Sequence, residues 1–284
     1  LRTLWIAAMR TSHAWIATYA VTGALQPLLV DRLKQQGLAP ARLLGPMMAN
    51  LIGMTWVAPA REACVGSPAP IAQTVRASWR PLAAAAALDF GSAALLCVGL
   101  LYAGAAAFTL VYASCAPLVS AIGAAAGAQI RREQWVAIAL ATLGLALYEL
   151  ACKSEGKAAA DARLWGSLLA FLGSVGHSGM FVMAEHALEN KSAKAAGLTP
   201  FRLSSCMGFA ETTVLATFVA LQVTYDAERM TTVAVAYAPL ILIDGLHALS
   251  FFATLGERGA VSAAMLKGVQ VVFVFVASSV LSCD

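Results

Sequence analysis

Charge is scarce in this sequence: Asp, Glu, Lys and Arg make up 12% of its 284 residues, about half the share found in soluble domains. That figure excludes a soluble enzyme, which needs a solvated surface. Cysteine is sparse as well, with Cys64, Cys97, Cys115, Cys152, Cys206 and Cys283 scattered singly. Neither a disulfide framework nor a clustered zinc module finds its ligands at such spacings, and the cysteines act as small apolar residues in or beside apolar runs. No metal or other cofactor is called for. The net charge of +4 comes from 19 basic and 15 acidic side chains spread over short connections, so no basic patch for nucleic acid is expected. A disordered tail is excluded by the lack of long polar stretches.

Apolar residues fill the chain instead, at 60%. A helix crossing a bilayer takes about 20 mostly apolar residues, and nine runs near that length stand out: 13–30, 43–59, 81–102, 105–129, 135–152, 164–188, 203–225, 231–255 and 259–281. The lipid bilayer is therefore the first partner expected, and the fold class is an all-α polytopic membrane protein.

The runs repeat. Only Ala103 and Gly104 join the third to the fourth, and only Gly256, Glu257 and Arg258 join the eighth to the ninth. Asp244 follows Asp89 by 155 residues, Gly259 follows Gly104 by the same interval, and the offset carries the first run onto the sixth. A repeat of five runs is odd-numbered, so its second copy must cross in the opposite sense, the inverted-topology plan of many secondary transporters. Residues 1–152 are read as the first repeat and 163–284 as the second. The tenth helix is expected from about position 290, which makes the reading a ten-helix inverted repeat with nine helices present. Eleven Lys and Arg fall on the side of the N-terminus and seven on the other, which predicts a cytosolic N-terminus.

From Ala87 to Leu147 the chain reads Ala87-Leu88-Asp89-Phe90-Gly91, then Gly99-Leu100, a very short turn into a helix of small residues, and Arg132-Glu133-Gln134-Trp135 opening a run that carries Gly144. The second half adds Gly166, Ala184-Glu185 and Gly208-Phe209-Ala210-Glu211. In order and spacing these motifs resemble the drug/metabolite transporter superfamily, and within it the nucleotide-sugar-transporter-like solute carrier 35 proteins of the F type. At the start of the fourth run, Ala105-Ala106-Ala107-Phe108-Thr109 departs from the polar signature of that type. The resemblance implies a ten-helix carrier with both termini cytosolic, set in an intracellular, endomembrane compartment.

Ionisable side chains inside a bilayer each cost roughly 2.5–3.5 kcal/mol on insertion scales, so those within the runs are the candidate site residues. Asp89 and Asp244 occupy equivalent depths in the two repeats. They either bond neighbouring helices permanently or act as proton-coupling or substrate-contacting carboxylates. His247 follows Asp244 at i+3, on the same helix face, where it can share the proton of that carboxyl. Lys267 is the one cation well inside a run, with Gln270 at i+3. It either snorkels to the nearer interface or supplies a compact ammonium for a phosphate or carboxylate; the resemblance implies the second use. Glu211 and His177 complete the candidate substrate-binding set. Glu149 and Glu185 lie near run ends and read as interfacial, and Gln26 and Asn50 as hydrogen bonders between helices.

Two further patterns stand in the sequence. Gly123 and Gly127 form a GxxxG stripe that lets two helix backbones approach, within the chain or between the copies of a homodimer. Gly176-His177-Ser178-Gly179 matches the GxSG around the nucleophile of intramembrane serine proteases, with His247 as its imagined base. The repeat argues against that enzyme, and no enzymatic activity is expected. The sequence reads as a secondary carrier that moves a small polar or anionic metabolite, a nucleotide sugar or related phosphorylated solute, by alternating access. A non-transporting membrane scaffold or receptor is the other reading.

Overall fold

The computed structural model describes residues 12–38, 45–67, 69–127, 132–133, 135–136, 139–140, 143, 157–222 and 227–281. The fifth run, 135–152, lies outside them save for a few positions. The described elements are all helices: α1 (Ser12–Gln35), α2 (Gly45–Thr55), α3 (Val57–Val65), α4 (Ile71–Ala103), α5 (Ala105–Tyr112), α6 (Cys115–Ala125), α7 (Lys157–Glu189), α8 (Lys191–Ala195), α9 (Pro200–Gln222), α10 (Ala227–Arg258) and α11 (Ala260–Leu281). Helix is what an apolar chain must form in lipid, where every backbone N–H and C=O has to be satisfied within the segment.

Two runs expected to be single helices are broken. The second divides at Trp56 into α2 and α3, and the fourth at Ala113 and Ser114 into α5 and α6. Each break lies four residues or fewer before a proline, Pro59 and Pro117, which has no N–H for the carbonyl of Thr55 or Ala113. Pro27, Pro81 and Pro239 stay within unbroken helices. The short turns follow expectation. Gly104 and Gly259 adopt φ of 79° and 83°, a left-handed conformation that glycine takes without a Cβ penalty. Their N–H groups close the preceding helices on Leu100 O and Leu255 O at 2.9 and 3.0 Å.

Among the described residues, five segments are long and apolar enough to cross a membrane: Ile71–Ala103, Ala107–Ala125, Asp161–Glu189, Pro200–Ala220 and Ala234–Arg258. The distribution of polarity is that of an integral membrane protein. Leu164, Phe209, Leu242 and Val235 are exposed, whereas Asp89, Asp244, Lys267, Gln270 and Glu211 are buried. Water would favour the opposite arrangement, and lipid favours this one.

The helices pair in a regular way. Helix α4 packs along α7, α10 along α1, α2 against α9, and α5 and α6 against α11. A 155-residue offset exchanges the first two of these pairs and returns each of the others to itself. Small residues make the approaches close. A Cβ on Gly53 of α2 would lie 2.6 Å from Gly245 N of α10, and one on Gly208 of α9 would lie 2.7 Å from Met54 Cβ. Gly53 and Gly208 are themselves 155 residues apart. Along α4 and α7, Gly99, Gly166 and Gly173 meet backbone at 3.0 Å or less in the same test. Gly127 of the GxxxG stripe does a different job: it ends a helix at φ 92° with nothing within 4 Å of its missing side chain.

Direction can be read from one segment. Thr74, at the start of α4, donates to Ala196 O at 2.7 Å, and Gly256, at the end of α10, packs on the Pro200 ring. The beginning of α4 and the end of α10 thus reach the same place, so the two helices run in opposite directions.

Candidate functional site

Between the helices of the two halves lies a cavity of about 170 Å³, room for on the order of ten water molecules. Its lining comes from α1, α2, α4, α5, α7, α10 and α11. Six of the seven candidate site residues meet there: Asp89, His177, Asp244, His247, Lys267 and Gln270. Glu211 does not line it. The Glu211 carboxyl is buried, and neither of its oxygens has a hydrogen-bond partner among the described residues.

Each polar wall group is held by a helix from the opposite half. The Asp89 carboxylate on α4 meets His177 on α7, Oδ1 to Nδ1, at 3.0 Å. Asp244 on α10 accepts from Gln26 Nε2 on α1 at 2.5 Å. His247 Nδ1 lies 3.1 Å from Thr22 Oγ1, and Thr22 itself donates to Thr18 O at 2.6 Å. A hydroxyl has one hydrogen to give, so His247 is the donor in the first of these contacts. The expected sharing of a proton between Asp244 and His247 is therefore replaced: on their common face each turns to a different residue of α1. His177, rather than His247, is the histidine that joins a carboxylate.

Lys267 is buried, and its Nζ stands 4.5 Å from the ring centroid of Tyr112 and 5.1 Å from that of Tyr19. Among the described residues no carboxylate oxygen comes within 4.0 Å of it. Aromatic faces hold a desolvated ammonium with about 2 kcal/mol or more, which steadies the group without neutralising it. Snorkelling is not seen, because the ammonium faces the cavity. Gln270 is fixed by donating Nε2 to Tyr19 O at 2.9 Å. The 155-residue offset applies here too, pairing Tyr112 with Lys267, Cys115 with Gln270, Ser92 with His247, and Thr22 with His177.

The GxSG match takes no catalytic geometry. Ser178 Oγ donates to Ser174 O at 2.6 Å, one helical turn back, and lies 3.4 Å from Cys115 O. Among the described residues it has no contact with His247. Nor do three His, Cys, Asp or Glu side chains converge anywhere among the described residues.

One group escaped the sequence reading. Arg202 counts there as a loop cation, yet it is fully buried at the start of α9. Its Nε and one terminal nitrogen grip Glu62 of α3 at 2.5 and 3.3 Å. The rest of the fork donates to Thr74 Oγ1 at 2.8 Å, Ser67 Oγ at 2.5 Å, Gly197 O at 3.4 Å and Ala69 O. The Arg202 hydrogen bond holds the Glu62 carboxyl below the usual glutamate range, helped by Ser67 and by the charge of Arg61. Arg61 lies over the Phe201 ring at 4.3 Å, and Phe201 meets Trp15 at 6.4 Å. This cluster ties the ends of α1, α3, α4 and α9 together on the side of Trp15. The cavity lining extends the other way, to Val30 and Leu100 near the opposite ends of their helices.

No protein-family model matches the sequence, and no curated protein matches it.

Proposed function

We propose that the protein is a secondary-type membrane carrier that moves a small polar or anionic metabolite by alternating access, its two halves rocking about the central cavity. The observation that carries this reading is the buried Lys267 ammonium, set on two tyrosine rings at the cavity wall with no carboxylate oxygen within 4.0 Å of it among the described residues. A cation without a direct ion pair in the membrane interior is costly, and an anionic solute in the cavity is a natural partner for it. The exchange of helix pairs under the 155-residue offset and the opposite directions of α4 and α10 support an inverted repeat. The resemblance of residues 87–147 to the drug/metabolite transporter superfamily points the same way, and with it a cytosolic N-terminus and an endomembrane location.

Size narrows the solute. Sites for drug-sized ligands enclose about 300–1,000 Å³, well above the 170 Å³ found here. A small phosphorylated or carboxylated solute fits this conformation, whereas a whole nucleotide sugar requires the cavity to widen. The test is uptake into vesicles containing the purified protein, offered labelled small carboxylates, sugar phosphates and nucleotide sugars. The Lys267→Ala variant should remain folded and lose uptake, and Lys267→Arg should keep part of it. A wild-type protein that accumulates none of these solutes overturns the carrier reading in favour of a scaffold, and unchanged uptake by Lys267→Ala removes the lysine from the site.

A further inference from the structure

The two halves of the cavity match in position but not in chemistry. At the Asp244 position the partner is an amide, Gln26, which neither gains nor loses a proton. At the equivalent Asp89 position the partner is an imidazole. We propose that the Asp89–His177 pair is the proton-binding site of this protein, taking up one proton on the imidazole from the cavity, and that Asp244 and His247 take none.

The geometry is specific about where that proton goes. With Asp89 ionised, His177 Nδ1 carries hydrogen and donates to Oδ1 across 3.0 Å. That leaves Nε2 as a bare acceptor, and among the described residues nothing is hydrogen-bonded to it. Both side chains line the cavity, so a proton can arrive from water there without a channel of its own. When Nε2 is protonated, Asp89 faces an imidazolium, and the ion pair holds the new charge. His247 lacks this support: its Nδ1 is bonded to a hydroxyl, and its ring lies against Tyr19 at 4.7 Å.

Other groups facing the pair set its balance. Tyr112 of α5 packs on the His177 ring at 5.6 Å, and Lys267 of α11 stands above the same tyrosine. Cys115 of α6, His247 of α10 and Glu211 of α9 complete the ionisable surroundings. Formally the cavity walls carry one cation and two carboxylates, so an arriving anion makes the excess of negative charge larger. A proton on His177 offsets it. Anion and proton therefore favour each other, and by linkage the effect is reciprocal. This use of the proton rests on the carrier reading; its binding does not.

The test is therefore made without a transported solute. Protein labelled with ¹⁵N-histidine, in lipid nanodiscs, is followed by the ring-nitrogen resonances of its four histidines, assigned by single His→Gln variants. His177 should convert from the neutral to the cationic form within about pH 5–8, while His247 stays neutral. Asp89→Asn should move that midpoint down by about 1–3 pH units, a tenfold to thousandfold loss of proton affinity, and Asp244→Asn should leave it in place. A wild-type His177 that keeps one form across the range overturns the proposal, and this needs no variant to fold. So does a midpoint that follows Glu211→Gln as strongly as Asp89→Asn. A titrating His177 in a protein that accumulates no solute keeps the proton site and removes the carrier reading alone.

Discussion

Replacing Arg202 by alanine should be among the most damaging single changes outside the cavity. The side chain is fully buried and spends its donors on Glu62, Thr74, Ser67 and two backbone carbonyls. Thr74 and Ser67 keep other bonds, to Ala196 O and Ala69 O, so the loss concentrates on Glu62. Breaking a buried pair by removing one partner costs about 3–5 kcal/mol. Glu62 retains 21% of its side-chain exposure, and water can reach it, which places the expected cost near the lower end. At about 2–4 °C per kcal/mol the unfolding temperature should fall by on the order of 10 °C. The buried thiols of Cys97 and Cys115 offer the assay, because a thiol-reactive fluorophore reaches them only as the chain opens. Arg202→Lys should recover part of the loss, since an ammonium keeps the charge but not the two-pronged grip. In a double-mutant cycle, Glu62→Gln should cost little more once Arg202 is gone. An Arg202→Ala protein that unfolds within about 2 °C of wild type would show that the cluster carries no such energy.

Acid should act through the same pair. Because the folded Glu62 lies below its ordinary value, it contributes stability that is present above that value and lost as pH falls through the depressed one. Unfolding temperatures taken downward from about pH 4.3 should decline less steeply in Glu62→Gln than in wild type; parallel slopes would contradict this. Gly53→Ala and Gly208→Ala should each cost about 1–3 kcal/mol by overpacking, since the new methyl meets Gly245 N at 2.6 Å in one and Met54 Cβ at 2.7 Å in the other. Gly91→Ala, with nothing within 4 Å, should be neutral or slightly stabilising by the same thermal assay.

Much of the architecture was legible because lipid reduces folding to few rules. Long apolar runs, the paired Gly104 and Gly259 turns and the common offset of Asp89 and Asp244 are visible in one dimension. Six candidate polar residues met in one cavity for a related reason: a charge within a run has nowhere to go but the interior. The helix breaks before Pro59 and Pro117 were harder to see, since Pro27, Pro81 and Pro239 sit in apparently similar runs and leave their helices whole. Arg202 was missed for a different reason. It lies at the edge of an apolar run, where basic residues usually meet headgroups, and its burial depends on Glu62, 140 residues earlier. Thr199 at the start of the helix and Gly197 before it mark a tight turn but say nothing of a partner.

The pairing of polar side chains was the least legible part, because each side chain meets a helix distant in the sequence. Spacing along one helix placed His247 beside Asp244, and an i+3 interval is a sound argument for neighbours on a single face. In the folded chain, however, that face looks at α1. Asp244 met Gln26 and His247 met Thr22, both on α1, while Asp89 met His177 on α7. Under the offset, Thr22 and His177 occupy one position, and so do Ser92 and His247. Both histidines therefore belong to the second half, where the first half carries Thr22 and Ser92: His177 lies beside a carboxylate and His247 beside a hydroxyl. Packing fixes where the polar groups stand, and the partner each carboxylate meets differs, His177 for Asp89 and Gln26 for Asp244. A symmetric pair of carboxylates would leave both halves with the same affinity for a proton. The difference between an imidazole and an amide partner confines the change to one side of the cavity, next to the ammonium of Lys267.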